Sequence, residues 1–138
     1  DPQDGKHLYE FGISMGIGFQ IMDDLLDVFA DSSKFGKQVG GDIIADKKTL
    51  LLVKALSSKD KKTVKELKEL LGGKEKDPTQ KVKKVTAIYE HLGIKKIVEE
   101  QMNHYFEKAH QSLKKVNAPL HKKALLKNLS DSLMIRER

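Results

Sequence analysis

The sequence predicts an all-α protein built as a helix bundle, and three observations lead to this class. Apolar residues recur at three- and four-residue steps through most of the 138 residues, which is the period of an amphipathic helix. No stretch has the alternating pattern of a half-buried strand. The connections between the helical stretches are short and polar, as they are in bundles. We therefore expect a single all-α domain over residues 1–138.

The first predicted helix extends from about Lys6 to Ala30 and carries the candidate aspartates near its C-terminal end. Its apolar stripe consists of Leu8, Phe11, Met15, Phe19, Met22, Leu26 and Phe29. Glycines within the helix each cost about 1 kcal/mol relative to alanine. Gly12 and Gly16 fall on the side that carries Asp23 and Asp27. Their missing side chains leave room either for a substrate tail or for a closely packed helix, and the sequence does not decide between the two.

The chain then passes through a glycine-rich segment into two helices. Residues 31–46 have no helical period and contain three glycines, so we predict a loop. The next segment, 49–56, is apolar nearly all round and should form a central helix. A short amphipathic helix is predicted from Asp60 to Leu71, and Gly72 ends it.

Three further helices complete the prediction. Asp77 and Pro78 have the residue types of a helix start, and that helix continues to Gly93. A long helix follows over 94–116. The last helix begins after Pro119, with its leucines facing inward: Leu125, Leu126, Leu129 and Leu133.

Composition narrows the class of protein. The chain has no cysteine, which excludes disulfides and thiolate metal sites and is consistent with a reducing compartment. No apolar run approaches the length of a membrane span, and no signal peptide is present in the sequence given. We expect a cytoplasmic protein, although a targeting segment upstream of residue 1 stays open.

The net charge of +6 hides two opposite halves. Residues 1–46 have nine acidic and three basic residues, whereas residues 47–138 have eleven acidic and 23 basic ones. A basic helical array can attract nucleic acid. Here most lysines alternate with glutamates and no aromatic residues accompany them for base stacking. We therefore expect anionic small molecules, and no nucleic acid, as partners.

Carboxylates cluster at the end of the first helix. At ~100° per residue, Asp23 and Asp27 lie about 40° apart, with Gln20 beside them and Asp24 rotated further round. Carboxylates this close repel one another unless a cation lies between them. Because the cluster has only oxygen ligands, Mg²⁺ is the expected ion. Acidic residues at a helix end can also be merely solvated, although there they oppose the helix dipole.

The loop downstream supplies cations that suit phosphate oxygens. Lys37 and Lys47 are the candidates, since lysine binds phosphate as a point charge. Asp42 could cap the following helix or pair with Lys47, and we favour such a structural role over metal ligation.

The run GFQIMDDLLD…FGKQVGGDIIADKKT closely resembles the second aspartate-rich region of trans-isoprenyl diphosphate synthases. The matching positions are Phe19, Gln20, Asp23, Asp24, Asp27, Gly36, Lys37, Gly40, Asp42, Lys47 and Thr49. The resemblance implies the all-α isoprenoid synthase fold and an enzyme that condenses an allylic diphosphate with isopentenyl diphosphate. Members of the family are commonly homodimers, so we expect a homodimer.

The same resemblance implies the roles of the site residues. Asp23 would contact Mg²⁺ directly, with Asp24 and Asp27 as further or water-mediated ligands. Lys37 and Lys47 would contact diphosphate oxygens. In the family, Mg²⁺ stabilises the departing diphosphate, the double bond of isopentenyl diphosphate attacks the allylic cation, and a proton is then lost. Phe19 and Gln20 would shape the substrate pocket and orient the carboxylates.

One departure from the family pattern concerns the other half of the site. The family has a first aspartate-rich motif on an earlier helix, and this sequence contains no second DDxxD. We therefore expect residues 1–138 to be the C-terminal part of a single all-α polyprenyl synthetase domain, truncated on its N-terminal side. Such a chain should be inactive by itself and should expose apolar stripes that the missing helices would cover. A regulatory subunit and a related terpene cyclase are the alternatives. In the family, product chain length is set near the first aspartate-rich motif, so this sequence does not predict it.

Overall fold

The computed structural model of the chain describes residues 2–30, 39–117 and 119–136. These residues form seven helices and no strand, which confirms the all-α prediction. The helices are α1 (Pro2–Phe29), α2 (Gly41–Ile44), α3 (Leu50–Leu56), α4 (Lys61–Leu71), α5 (Pro78–His91), α6 (Ile94–Lys114) and α7 (Leu120–Arg136). The chain divides into two compact units, with the boundaries inside α1 and α6. The prediction of a single domain stays a prediction.

One unit consists of Asp1–Gln20 and Gln101–Arg138. Its core includes Met15 and four residues of α6 at helical spacing: Met102, Phe106, Ala109 and Leu113. Gly18 makes the closest approach, because a Cβ atom there would lie 2.5 Å from the ring of Phe106. The Asn117 amide donates to Asp4 Oδ1 at 2.9 Å. These contacts tie the first part of α1 to the second part of α6.

The other unit, Ile21–Glu100, contains the candidate site. Its buried apolar residues come from every helix of the unit and include Met22, Leu51, Leu67, Val85 and Val98. Side chains cap three of its helices: Thr49 Oγ1 accepts from Leu52 N, Asp60 Oδ1 from Thr63 N, and Asp77 Oδ1 from Thr79 N. The predicted helix start at Asp77 and Pro78 is thereby confirmed.

Three details of the sequence prediction are wrong. Residues 41–44, which we predicted as loop, form the short helix α2. Leu8 belongs to the predicted buried stripe but is 40% exposed, whereas Met15 and Met22 of the same stripe are buried, together with Ser14 and Ile21. On α7, Leu125, Leu126 and Leu129 are 67%, 37% and 59% exposed rather than inward.

Candidate functional site

The three aspartates of the DDxxD motif occupy different environments at the end of α1. Asp23 is exposed, Asp24 is only 6% exposed, and Asp27 is half-buried. The difference follows from helical rotation, since neighbouring residues point about 100° apart. The cluster expected from the sequence is therefore split between a solvent-facing carboxylate and two inward ones.

Asp27 fixes the start of α2. Its Oδ2 accepts a hydrogen bond from the Asp42 amide at 2.9 Å, and its carbonyl oxygen accepts one from the Gly40 amide at 2.6 Å. The N-cap residue of α2 is Gly40, which has no side chain to satisfy the first amides of the helix. Asp27 supplies that carboxylate from another helix, as an N-cap residue would.

The turn that ends α2 places Lys47 close to the aspartates. The Lys47 amide donates to the Asp42 carbonyl at 2.9 Å, and the Asp46 amide donates to the Ile43 carbonyl at 3.2 Å. Asp46 has a φ of +54°. A left-handed residue with these two bonds is a Schellman motif, which ends a helix and reverses the chain.

The ammonium group of Lys47 lies between two carboxylates. Its Nζ is 3.6 Å from Asp24 Oδ1 and 3.9 Å from Asp42 Oδ1, which confirms the predicted pairing of Asp42 with Lys47. Both distances exceed that of a charge-assisted hydrogen bond. The Lys47 side chain is 50% exposed, whereas that of Asp24 is 8% exposed. The lysine thus compensates a buried negative charge and still faces solvent, where an anion can reach it.

Helix α5 supports this turn from the inside. Gly40 has a φ of +94°, and a Cβ atom there would lie 2.6 Å from Val82 Cγ1. Further along α5, burial and then the nearby charge of Asp42 raise the pKa of the Tyr89 hydroxyl to about 12. The tyrosine therefore stays neutral while its unit is folded at physiological pH. Within the segment 40–49, Gly40, Ile43 and Thr49 are buried, whereas residues 45–48 are exposed.

The donor chemistry of the site fits Mg²⁺. Asp23, Asp24 and Asp27 offer only carboxylate oxygens, the ligands of a hard cation. In the described part of the chain, no three acidic, histidine or cysteine side chains are grouped so that they could hold a metal ion among themselves. The structure therefore does not bring the three aspartates together as one ready-made metal site within the described residues. The assignment of the three aspartates as metal ligands stays a prediction.

Two further predicted site residues, Phe19 and Gln20, belong to the other unit. The ring of Phe19 packs there edge-on against Phe106 with 5.6 Å between centroids. Gln20 is the last residue of that unit on α1 and is exposed. The prediction for Lys37 lies outside the described residues.

Sequence reasoning missed Asp46 and Lys81. The Lys81 ammonium lies 2.5 Å from Asp46 Oδ1, and the two residues are 35 positions apart. No spacing rule connects them, because α5 reaches the turn through tertiary packing. The one sequence signal is a lysine at the start of the inward stripe of α5, where an apolar residue is expected.

A larger concavity lies away from these residues. A cleft of about 760 Å³ opens between α4 and α5 and is lined mainly by charged side chains. Its ion pairs are Glu69 with Lys74, Glu75 with Lys84, and Asp60 with His91. Hydrogen bonds from Thr63, followed by that of His91, hold the pKa of Asp60 below its ordinary value. Three carboxylates of this cleft, those of Asp60, Glu69 and Glu75, are thus paired with neighbouring side chains.

Comparison with known proteins identifies the family. The protein-family model described as polyprenyl synthetase matches residues 1–91. The chain belongs to this family. It is 33% identical to a geranylfarnesyl diphosphate synthase of Aeropyrum pernix over 95% of this chain and 40% of that protein. It is 42% identical to a short chain isoprenyl diphosphate synthase of Methanocaldococcus jannaschii over 52% of this chain and 22% of the relative.

The same relationship is seen in a solved structure. A crystal structure of geranylgeranyl pyrophosphate synthase superposes with a TM-score of 0.83 at 32% identity, covering 97% of this chain and 42% of the other. The chain therefore spans between about a fifth and two fifths of the length of these proteins. Among the residues that the structure describes, no helix combines the length and the apolar character needed to cross a membrane.

Proposed function

We propose that this chain carries the diphosphate-binding part of a prenyltransferase site, which condenses an allylic diphosphate with isopentenyl diphosphate. The observation that supports this most directly is the Lys47 ammonium, 3.6 Å from the buried Asp24 and half exposed. An ammonium held by a buried carboxylate, beside a second and exposed aspartate, can bind a metal-complexed diphosphate. The named functions of the relatives agree with this chemistry.

Each of these residues would have a separate role in binding Mg²⁺ or diphosphate. Asp23 faces solvent and is the first candidate to hold Mg²⁺, with Asp24 and Asp27 as further or water-mediated ligands. Bound Mg²⁺ would supply Lewis-acid stabilisation of the charge that develops on a departing diphosphate. Lys47, together with Lys37, would hold diphosphate oxygens. Asp27 would also keep α2 in place through the Asp42 amide.

The 138 residues alone are proposed to bind diphosphate without turning it over. The sequence contains one aspartate-rich motif, whereas the resemblance implies a site built from two. The proposed reaction takes place in the cytoplasm, in a homodimer that also contains the first motif.

A turnover assay tests this proposal. The purified chain and the complete product of its gene are incubated separately with Mg²⁺, labelled isopentenyl diphosphate and an allylic diphosphate. Prenyl product from the complete gene product alone would support the proposal in full. Product from the 138 residues would overturn the requirement for a second motif. Product made from the allylic diphosphate without isopentenyl diphosphate would favour a terpene cyclase instead.

Binding gives an independent measurement on the chain itself. Calorimetric titration with inorganic pyrophosphate should detect binding that depends on Mg²⁺. Asp23→Asn should remove most of that dependence, whereas Glu100→Gln, at an exposed position on α6, should not. Equal Mg²⁺ dependence in both variants would contradict the role of Asp23.

A further inference from the structure

Lys81 is a buried lysine whose partners all belong to the turn that carries Lys47. Its side chain is 11% exposed, and lysine is almost never buried unless it is paired. The Nζ atom donates to Asp46 Oδ1 at 2.5 Å and to the Ile44 carbonyl oxygen at 3.5 Å. One ammonium group therefore contacts both the last residue of α2 and the left-handed residue that follows the helix.

Asp46 occupies a position that is usually glycine, although aspartate adopts the left-handed conformation more readily than most other residues. In a Schellman motif the left-handed residue is usually glycine, because other side chains pay a steric cost there. Asp46 adopts a φ of +54° all the same. A residue in such a conformation persists only where its surroundings hold it there, and the Lys81 ammonium is bonded directly to its carboxylate.

We propose that Lys81 is a positioning residue for Lys47. By anchoring Asp46 in the left-handed conformation, Lys81 keeps the Lys47 amide on the Asp42 carbonyl, a bond of 2.9 Å. The Lys47 side chain is thereby directed toward Asp24. The importance of this for binding diphosphate rests on the proposed function, whereas the anchoring itself does not.

The geometry distinguishes this pair from an ordinary surface ion pair. Lys84, one turn further along α5, also forms a short bond, 2.6 Å to Glu75, but its side chain is 53% exposed. Exposed pairs contribute little because water competes for both charges. In the Lys81–Asp46 pair the carboxylate is 45% exposed, and it is the ammonium, at 11%, that is shielded from water. The Lys81 side chain is held on the inner face of α5 and bridges this carboxylate and the Ile44 carbonyl, so losing it removes one donor from two acceptors of the turn.

Hydrogen exchange of individual amides, measured by NMR on the full chain, tests the anchoring. Lys81→Met keeps the apolar stem and removes the ammonium. We expect exchange of the Asp46 and Lys47 amides to accelerate about tenfold or more, the effect of losing a hydrogen bond to a charged group. Lys83→Met, on the exposed side of the same helix, should leave these amides unchanged.

A second substitution separates anchoring from general destabilisation. Asp46→Gly places the favoured residue in the left-handed position, so the turn should no longer need the lysine. Lys81→Met combined with Asp46→Gly should therefore restore slow exchange at Lys47. Faster exchange spread equally over α4 and α6, or no rescue by glycine, would overturn the proposal.

Pyrophosphate titration in Mg²⁺ then connects the turn to the site. Affinity that falls about tenfold in Lys81→Met and recovers in the double variant would support the positioning role. Undiminished affinity in Lys81→Met would overturn it. If the unmodified chain does not bind pyrophosphate, the proposed function fails, and the exchange rates alone decide whether Lys81 anchors the turn.

Discussion

The turn around Lys47 and the cleft between α4 and α5 are both rich in lysine and carboxylate, yet they differ in how these charges are used. In the cleft, Lys74 Nζ lies 2.9 Å from Glu69 Oε2, so the lysine is hydrogen-bonded to its partner. In the turn, Lys47 lies 3.6 Å from Asp24 and 3.9 Å from Asp42, without a direct hydrogen bond of ordinary length to either. Lys47, with the longer distances to its carboxylates, is the better candidate for a binding site, because its ammonium group can still bind an anion.

The two regions also differ in what holds them. In the cleft, the pKa of Glu69 is lowered mainly by its hydrogen bond with Lys74, and both side chains face water. The turn is held by the amides of Gly40 and Asp42, which donate to the carbonyl oxygen and to Oδ2 of Asp27, and by the packing of Gly40 against α5. Charges in the cleft should therefore be replaceable, whereas the backbone of the turn should not.

The largest expected effect is on the free energy of unfolding, when one glycine of each region is replaced by alanine in separate variants. Gly40→Ala should lower the free energy of unfolding by about 2 to 5 kcal/mol, since the residue is left-handed and its new Cβ would overlap Val82. Gly73, in the connection beside the cleft, is also left-handed at +88°, but its Cβ would meet only the Lys76 Nζ atom at 3.5 Å. Gly73→Ala should cost about 1 to 2 kcal/mol. Urea denaturation measures both, and equal losses would contradict the tight packing of the turn.

The same two regions show which features could be predicted from the sequence and which could not. The DDxxD motif with its downstream lysines indicated the all-α family through the resemblance. For Asp42 the sequence left two roles open, a helix cap or a pairing with Lys47, and the structure shows the pairing. The sequence did not predict that Asp27 caps α2 or that Lys81 reaches Asp46, because both contacts cross between helices. The inward prediction for Leu125 failed because a helical stripe indicates which residues share a face, and not whether another element covers that face.

The next effect concerns binding. Lys47→Met should weaken binding of inorganic pyrophosphate in Mg²⁺ by about 10- to 100-fold, the loss expected for a hydrogen bond to a charged group. Lys48→Met is the matched control, because Lys48 is adjacent in the chain and equally exposed. Calorimetric titration of the two variants would decide the point. Similar losses in both would mean that the general positive charge of the segment, and not the position of Lys47, attracts the anion.

A third effect is confined to alkaline pH. Burial raises the pKa of Tyr89 to about 12 from its ordinary 10, so the folded state retains the proton longer than the unfolded chain. This contribution to stability is complete below pH 10 and disappears as the pH rises toward 12. It should amount to on the order of 2 kcal/mol. Tyr89→Phe should remove this part of the pH dependence in chemical denaturation, whereas Tyr9→Phe, at a residue 71% exposed, should not. An unchanged slope in Tyr89→Phe would show that the hydroxyl titrates as it does in water.

The smallest effect is expected at the shortest of the three ion pairs of the cleft. Lys84→Met breaks the 2.6 Å contact with Glu75, which also holds the pKa of that carboxyl below its ordinary value. Because the lysine side chain is 53% exposed, water can replace it at Glu75, and stability should change by less than about 0.5 kcal/mol. Thermal and urea denaturation at neutral pH provide the measurement. A loss as large as that of Gly40→Ala would reverse the comparison, because the charges of the cleft would then organise the unit and the turn at Lys47 would be secondary to them.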